Sequence, residues 1–190
     1  MPVIFRELAL PGVFAIEPEP FVDERGSFTR TFCVDELAGR GLETRVAQGS
    51  VSSTARRATL RGLHLQLTPF EETKVLRCTR GAVFGAVVDL RADSPAFGTW
   101  LGIELHSETG ASLYLPRGTA LGTLTLEDAT HVEYLMSAPF SAEHTVGLRW
   151  DDPALAIDWP ITPAIVSAKD RAHRDIDLDA VRTRGLEALR

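Results

Sequence analysis

The chain has 190 residues, 44% hydrophobic and 24% charged, which gives enough apolar material for one domain with a sizeable core and excludes a disordered polymer. A formal net charge of −6 argues against non-specific nucleic-acid binding. No apolar run approaches the roughly 20 residues of a membrane-spanning helix, so no membrane partner is expected. Glu7 and the Pro11-Gly12 turn do not fit a signal peptide, which points to a cytoplasmic protein. Cys33 and Cys78 are too few for a disulfide framework. Cys78 lies in an apolar stretch and reads as a small buried hydrophobe.

In chain order, alternating apolar residues bounded by turn formers predict short strands at residues 13–16, 28–32, 44–51, 59–66, 74–79, 82–89, 100–105, 112–115, 132–136 and 146–150. Arg80-Gly81 reads as a tight hairpin, with glycine supplying the positive φ. Asp93-Ser94-Pro95 and Pro116-Arg117-Gly118 mark further turns. A short helix is expected at 34–39, and a second at 177–189 with Asp177 or Asp179 near its start. Many short strands with little helix imply an all-β antiparallel sandwich or jelly roll with short flanking helices. No repeat, low-complexity tract or linker divides the sequence, so residues 1–190 read as a single domain.

The segment Arg61-Gly62-Leu63-His64-Leu65-Gln66, followed by Lys74, carries the chemistry. Strand alternation puts Gly62, His64 and Gln66 on one face, with Leu63 and Leu65 on the other. A histidine aimed into a sheet-lined interior is either a base suited to neutral pH or a structural imidazole bonded to a carbonyl. Lys74 shares its apolar strand's parity with Leu76 and Cys78. It needs an anionic partner or substrate if buried, or it guards an exposed edge. Asp170 is a surface turn residue or a carboxylate that orients an imidazole. Tyr134 is a core residue with a capped hydroxyl or a general acid. Arg25, beside Gly26, is a phosphate clamp or a solvated charge. A metal site of H-x-H type fails on ligand count, because the second position is Gln66 and position 121 is leucine.

Together these residues resemble the dTDP-4-dehydrorhamnose 3,5-epimerase family. The matching motifs are Phe21-x-Asp23-Glu24-Arg25-Gly26-x-Phe28, Leu60-Arg61-Gly62-Leu63-His64-x-Gln66 and Lys74-x-x-Arg77-Cys78. They continue through Val88-Asp89-x-Arg91-x-x-Ser94-Pro95-x-x-Gly98-x-Trp100, Trp150-x-Asp152-Pro153, Ile157-Asp158-Trp159-Pro160 and Ser167-x-Lys169-Asp170. The resemblance implies a double-stranded β-helix (cupin jelly roll), a homodimer with exchanged N-terminal strands, and neither metal nor cofactor. It implies an epimerase that removes a proton beside the C4 ketone of a nucleotide-linked 6-deoxyhexose, acting at C3, C5 or both. By that resemblance His64 is the base, Asp170 orients it, Lys74 stabilises the enolate oxygen, and Tyr134 returns a proton to the opposite face. Arg25 and Arg61 match residues that hold the diphosphate, although Arg61 has the opposite strand parity to His64 and must use a bulge or a neighbouring subunit. Phe28, Gln48, Arg30 and Phe140 fall at substrate-contacting positions. The chain departs from the family pattern at Leu121 for a histidine, Arg30 for a glutamate, Gly85 for an aspartate, Phe140 for a tyrosine and around Gly49-Ser50 for an asparagine. These changes predict a weaker preference for thymidine and inversion at one centre. A sugar-nucleotide-binding cupin of weak activity is the alternative.

Overall fold

The structure, a computed structural model, describes residues 3–190. Its elements in order are β1 (Val3–Glu7), β2 (Phe14–Pro18), β3 (Phe21–Asp23), β4 (Gly26–Phe28), α1 (Val34–Ala38), β5 (Gln48–Thr54), β6 (Thr59–Gln66) and β7 (Lys74–Arg80). There follow β8 (Ala82–Asp89), β9 (Trp100–His106), β10 (Ser112–Leu115), β11 (Thr119–Thr125), β12 (Thr130–Met136), β13 (Thr145–Gly147) and β14 (Ile165–Val166). The chain ends in α2 (Ala168–Arg171), α3 (Leu178–Arg184) and a single 3-10 turn, Leu186–Leu189. No helix among the described residues is long and apolar enough to cross a membrane.

One sheet has the order β1-β2-β10-β7-β12-β5 and the other β13-β6-β11-β8-β9, while β3 and β4 form a separate hairpin. Each sheet buries one face against the other. Leu76, Cys78, Leu113, Leu115 and Val132 from the first sheet pack with Val83, Val87, Leu105 and Leu121 from the second. The second sheet is covered on its outer face as well. There Leu60, Leu63, Leu65, Phe84, Ala86 and Val88 meet Leu155, with Trp150, Ile157 and Trp159 packed alongside. Double burial explains why all eight residues of β8 are buried, the pattern of a central strand rather than an edge. Two stacked antiparallel sheets joined in this order form the expected jelly roll.

The structure departs from the sequence expectations in several places. Arg80-Gly81 makes a tight turn, with Gly81 at φ 74°, but it is not a hairpin. β7 and β8 enter opposite sheets, because β8 needs both of its apolar faces covered. The strand expected at 28–32 is confined to β4, with nothing regular from 29 to 33, and that expected at 44–51 begins only at Gln48. β11 was missed, since Thr-Ala-Leu-Gly-Thr-Leu-Thr lacks a clear alternation, yet all seven residues are buried. The helix expected at 177–189 is α3, capped by Asp177, whose carboxylate accepts from the Ala180 N–H at 2.8 Å. It breaks at Gly185 before the 3-10 turn.

The decisive irregularity lies between β6 and β11. Leu121 pairs with His64, but Thr123 pairs with Arg61, so three steps on β6 oppose two on β11. This bulge resets the side-chain alternation. Leu60, Leu63 and Leu65 all join the outer core, while Arg61, His64 and Gln66 all line the cavity. The parity conflict over Arg61 is therefore resolved within one chain. Gly62 makes the bulge possible. It has φ 111°, and a Cβ on it would sit 2.5 Å from the Leu121 carbonyl oxygen. A Gly62→Ala variant is expected to lose about 1–3 kcal/mol of unfolding free energy through backbone strain and this overlap, as measured by urea denaturation.

Candidate active site

A cavity of about 950 Å³ opens between the sheets. Its lining draws Gln48 from β5, Arg61 and His64 from β6, Lys74 from β7, Tyr134 from β12, Phe140 from a loop and Asp170 from α2. Seven residues expected at the site from sequence are thus brought together. Arg25, Phe28 and Arg30 are not among the residues that line it. Arg25 is exposed on the β3–β4 hairpin and pairs with Asp23, Phe28 is 70% exposed, and Arg30 contacts Cys33.

Asp170 reaches His64 because β14 runs parallel to β6, with Ile165 against Thr59 and Val166 against Leu60. That pairing sets the start of α2 beside the bulge. The Ser167 hydroxyl caps α2 by accepting from the Asp170 N–H at 3.0 Å. The Asp170 carboxylate then meets His64 Nε2 at 2.7 Å, with its other oxygen facing the Gly62 N–H at 3.5 Å. Burial alone pushes the Asp170 carboxyl up. The hydrogen bond and charge of His64, with Ser167 and the Gly62 N–H, outweigh burial and hold it below its ordinary value. An ionised carboxylate only accepts, so Nε2 of His64 is the donor in this bond and Nδ1 takes no part in it.

Lys74 is not on an edge, since β7 lies between β10 and β12. Its side chain is 12% exposed, and its ammonium pairs with Glu72 at 2.5 Å. Gln66 donates from Nε2 to the other Glu72 oxygen at 2.5 Å, while its Oε1 accepts from the Ser141 N–H at 2.6 Å. The anion that sequence reasoning required for Lys74 is therefore, in the free chain, a side chain two residues away on the same parity.

Tyr134 is half-buried, and burial pushes its hydroxyl up against the opposing effects of Thr123 and the Arg61 charge. The phenol stays protonated and is available as a donor. His64 and Tyr134 lie on opposite sheets, so a ligand between them presents one face to each. Opposite His64 on β11 stands Leu121, 6% exposed. Gly85 leaves room beside it, since a Cβ at that position would meet Leu121 Cδ1 only at 3.9 Å. That stretch of the wall is apolar. Of the changes expected to alter nucleotide preference, Phe140 lines the cavity, whereas Arg30 and Gly85 do not.

Sequence reasoning missed Glu72, Thr123 and His173. Glu72 was visible as the residue two before Lys74. His173 was visible as the residue three after Asp170, one helical turn on. His64, Asp170 and His173 place potential ligand atoms within 4.8 Å of one another. Nε2 of His64 and Oδ1 of Asp170 are engaged with each other at 2.7 Å, while Nε2 of His173 stands 3.7 Å from the same oxygen.

Comparison with known proteins places this geometry. The chain matches the family model for dTDP-4-dehydrorhamnose 3,5-epimerase over residues 7–177. A relative of that name from Sinorhizobium fredii is 43% identical over 170 residues, covering 89% of this chain and 87% of its own. A Bacillus anthracis enzyme of that name, solved with TDP and PPi bound, superposes with a TM-score of 0.88 at 36% identity, covering 92% of this chain and all of the other. A 3'-monoepimerase from Streptomyces bikiniensis, solved with dTDP-quinovose, gives a TM-score of 0.84 at 29% identity over 94% of this chain and 90% of its own.

The depressed Asp170 carboxyl has a consequence for stability. A group whose folded pKa is lowered stabilises the native state above its unfolded value and loses that contribution as pH falls through the folded one. Asp170→Asn is therefore expected to cost about 1–3 kcal/mol near neutral pH. Thermal melts should show its deficit against wild type begin to shrink below about pH 4, the ordinary carboxylate range, and close only as pH falls through the lower folded value, where the wild-type carboxyl also takes up a proton.

Proposed function

The chain belongs to the dTDP-4-dehydrorhamnose 3,5-epimerase family, and from that premise we propose how its residues divide the work. It is an epimerase of nucleotide-linked 4-keto-6-deoxyhexoses. The observation that carries the division of labour is the His64–Asp170 pair at 2.7 Å, which faces Lys74 and Tyr134 across one cavity. The Nδ1 lone pair of His64 takes a proton from the carbon beside the C4 ketone. The electrons move into the C–C–O system, and the developing enolate oxygen is met by the Lys74 ammonium, already fixed by Glu72. Such preorganised charge acts most strongly where the charge develops. Tyr134 delivers its phenolic proton to the other face of the same carbon, inverting it. The Arg61 charge favours the phenolate that results. Asp170 stabilises the imidazolium and holds the reactive tautomer. Solvent then returns the proton to Tyr134 and removes the one on His64.

Binding of the nucleotide follows from the cavity mouth. Phe140 is 61% exposed there, and its backbone N–H is held by Gln48 Oε1 at 2.9 Å. It offers an aromatic face to a base, and Arg61 offers its guanidinium to the diphosphate. Two free cysteines, Cys33 and Cys78, suit the reducing cytoplasm in which we place the enzyme.

The β3–β4 hairpin exposes Phe21, Val22 and Phe28 around the charged Arg25. Three large apolar side chains on one small hairpin make a surface suited to being covered. We propose that a second copy of the chain covers it, in a homodimer in which Arg25 and Phe28 complete the partner's cavity.

Two experiments test this reading. With a nucleotide-linked 4-keto-6-deoxyhexose in D2O, the wild type should exchange deuterium into C3 or C5, detected by NMR. His64→Ala should lose about 10²–10⁴-fold in that rate, the range for a general base, and exchange at the wild-type rate would overturn its role. Sedimentation velocity should show a dimer for the wild type. Phe28→Asp should sediment as a monomer and bind nucleoside diphosphate at least about tenfold more weakly.

A further inference from the structure

His173 has no place in the scheme above, yet it sits against the centre of it. It lies two residues beyond the end of α2 and three beyond Asp170. Its Nε2 lies 3.7 Å from Asp170 Oδ1, the same oxygen that His64 contacts at 2.7 Å. The two imidazoles approach that oxygen nearly at right angles, with planes 80° apart and centroids 6.4 Å apart. Nε2 of His173 is buried and has no hydrogen-bond partner among the described residues. A buried polar atom left unpaired is unfavourable, and it calls for a reason. The space for the ring is created at Gly147, where a Cβ would overlap the imidazole. Gly147 is the β13 residue paired with His64 itself. A glycine next to the base thus admits a second imidazole behind the base's own carboxylate.

We propose that His173 is a positioning residue that shares the Asp170 carboxylate with His64 and so holds down the basicity of the base. This proposal gives a further role within the epimerase reading and rests on it for its functional meaning. Asp170 Oδ1 has a finite capacity to accept hydrogen bonds and to offset positive charge. Whatever it gives to His173 it withholds from His64. The effect has one sign in either state of His173. At 3.7 Å, beyond hydrogen-bond length, a neutral imidazole turned N–H toward Oδ1 competes through its dipole, and an imidazolium competes as a charge. The groups that face His173 are His64 from β6 and Asp170 and Lys169 from α2, while β13 presents only Thr145, Val146 and Gly147. Burial, helped by the His64 and Lys169 charges, pushes the His173 imidazole below its ordinary value against the pull of Asp170. It is therefore neutral at neutral pH. The benefit is specific to a base that must be free before each turnover. A carboxylate shared with His173 holds the His64 imidazolium less tightly than one engaged by His64 alone.

The test needs no substrate. The protein has five histidines, and the Cε1–H resonances of His64 and His173 can be followed by NMR through an acid-to-neutral titration. In wild type, the two curves should be coupled, each deflected where the other titrates. In His173→Phe, which keeps a flat aromatic ring of somewhat larger size and removes both nitrogens, the His64 midpoint should rise by about half a pH unit or more. His173→Gln, which restores an N–H donor, should bring it back toward wild type. The acid limb of the kcat/KM profile should follow the same order. An identical His64 midpoint in wild type and His173→Phe would overturn the proposal. Should the Phe variant fail to fold, independent one-site curves for the two wild-type histidines would overturn it equally. A shifted midpoint in a protein that turns over no nucleotide-linked ketosugar would support the shared carboxylate and overturn only the epimerase reading.

Discussion

The site depends on one contact between distant parts of the chain. Asp170 and His64 are 106 residues apart, and nothing local holds them together. The segment after β13 must cross the outer face of the second sheet before it can return α2 to β6. Trp150, Leu155, Ile157 and Trp159 anchor that crossing on the outer core. The indole N–H of Trp159 donates to the Trp150 carbonyl at 3.0 Å. Asp152, 1% exposed, fastens the crossing at two points by accepting from the Ala154 N–H at 2.8 Å and the Ile176 N–H at 2.6 Å. Apolar burial supplies the bulk of the free energy, and the carboxylate fixes the path. The Trp-x-Asp-Pro and Ile-Asp-Trp-Pro motifs therefore bring Asp170 to His64 without lining the cavity themselves.

Much of this was legible from sequence because strands announce themselves locally. The alternation in 59–66, 74–79 and 132–136 marked the strands and put His64 on one face with Gly62 and Gln66, while Lys74 stayed open between a buried and an edge position. The run 82–89 likewise marked a strand, and the structure buries all eight of its residues. What failed to show was what depends on neighbours in space. The bulge at Gly62 is a mismatch between two strands, so Arg61 looked outward until its partner on β11 was known. The turn at Arg80-Gly81 has the right residues for a hairpin, and only the need to bury both faces of β8 sends it to the other sheet. β11 itself escaped because its threonines are polar by type yet buried in place. Glu72 and His173 carried readable spacing to Lys74 and Asp170, but spacing proposes a contact without showing that the side chains turn toward each other.

The charged groups divide into two kinds. Pairs such as Arg6–Glu17, with side chains 58% and 45% exposed, lie in water and contribute little to stability. Glu72–Lys74 is buried, with 12% exposure for the lysine and 6% for the glutamate, and burial of such a pair is seldom a net gain in stability. Its value is positional. Gln66 ties Glu72 to the loop around Ser141, so the ammonium is set by a network that spans both sheets before any ligand arrives. Asp89 plays the purely structural counterpart. Fully buried, it accepts from Arg91 and from the Ser94 hydroxyl at 2.6 Å. The Arg91 guanidinium also donates to the Pro11 carbonyl at 2.7 Å. One motif of alternating acid and base thus staples the N-terminal segment to a loop and leaves the cavity untouched.

Because β6 and β11 stand on one sheet and β7 and β12 on the other, His64 and Tyr134, the proposed base and acid, are mounted on separate walls. The gap between them is the thickness of the sandwich, about 10 Å for packed sheets, set by Leu76, Val87, Leu113 and Leu121 as they interlock. These leucines and valines act as spacers. Thinning or thickening that layer changes how far a planar enolate can sit from each wall, and with it whether the proton returns from the face it left or from the other. The stereochemical outcome of the reaction is in this sense a property of the hydrophobic core as much as of the side chains that line the cavity.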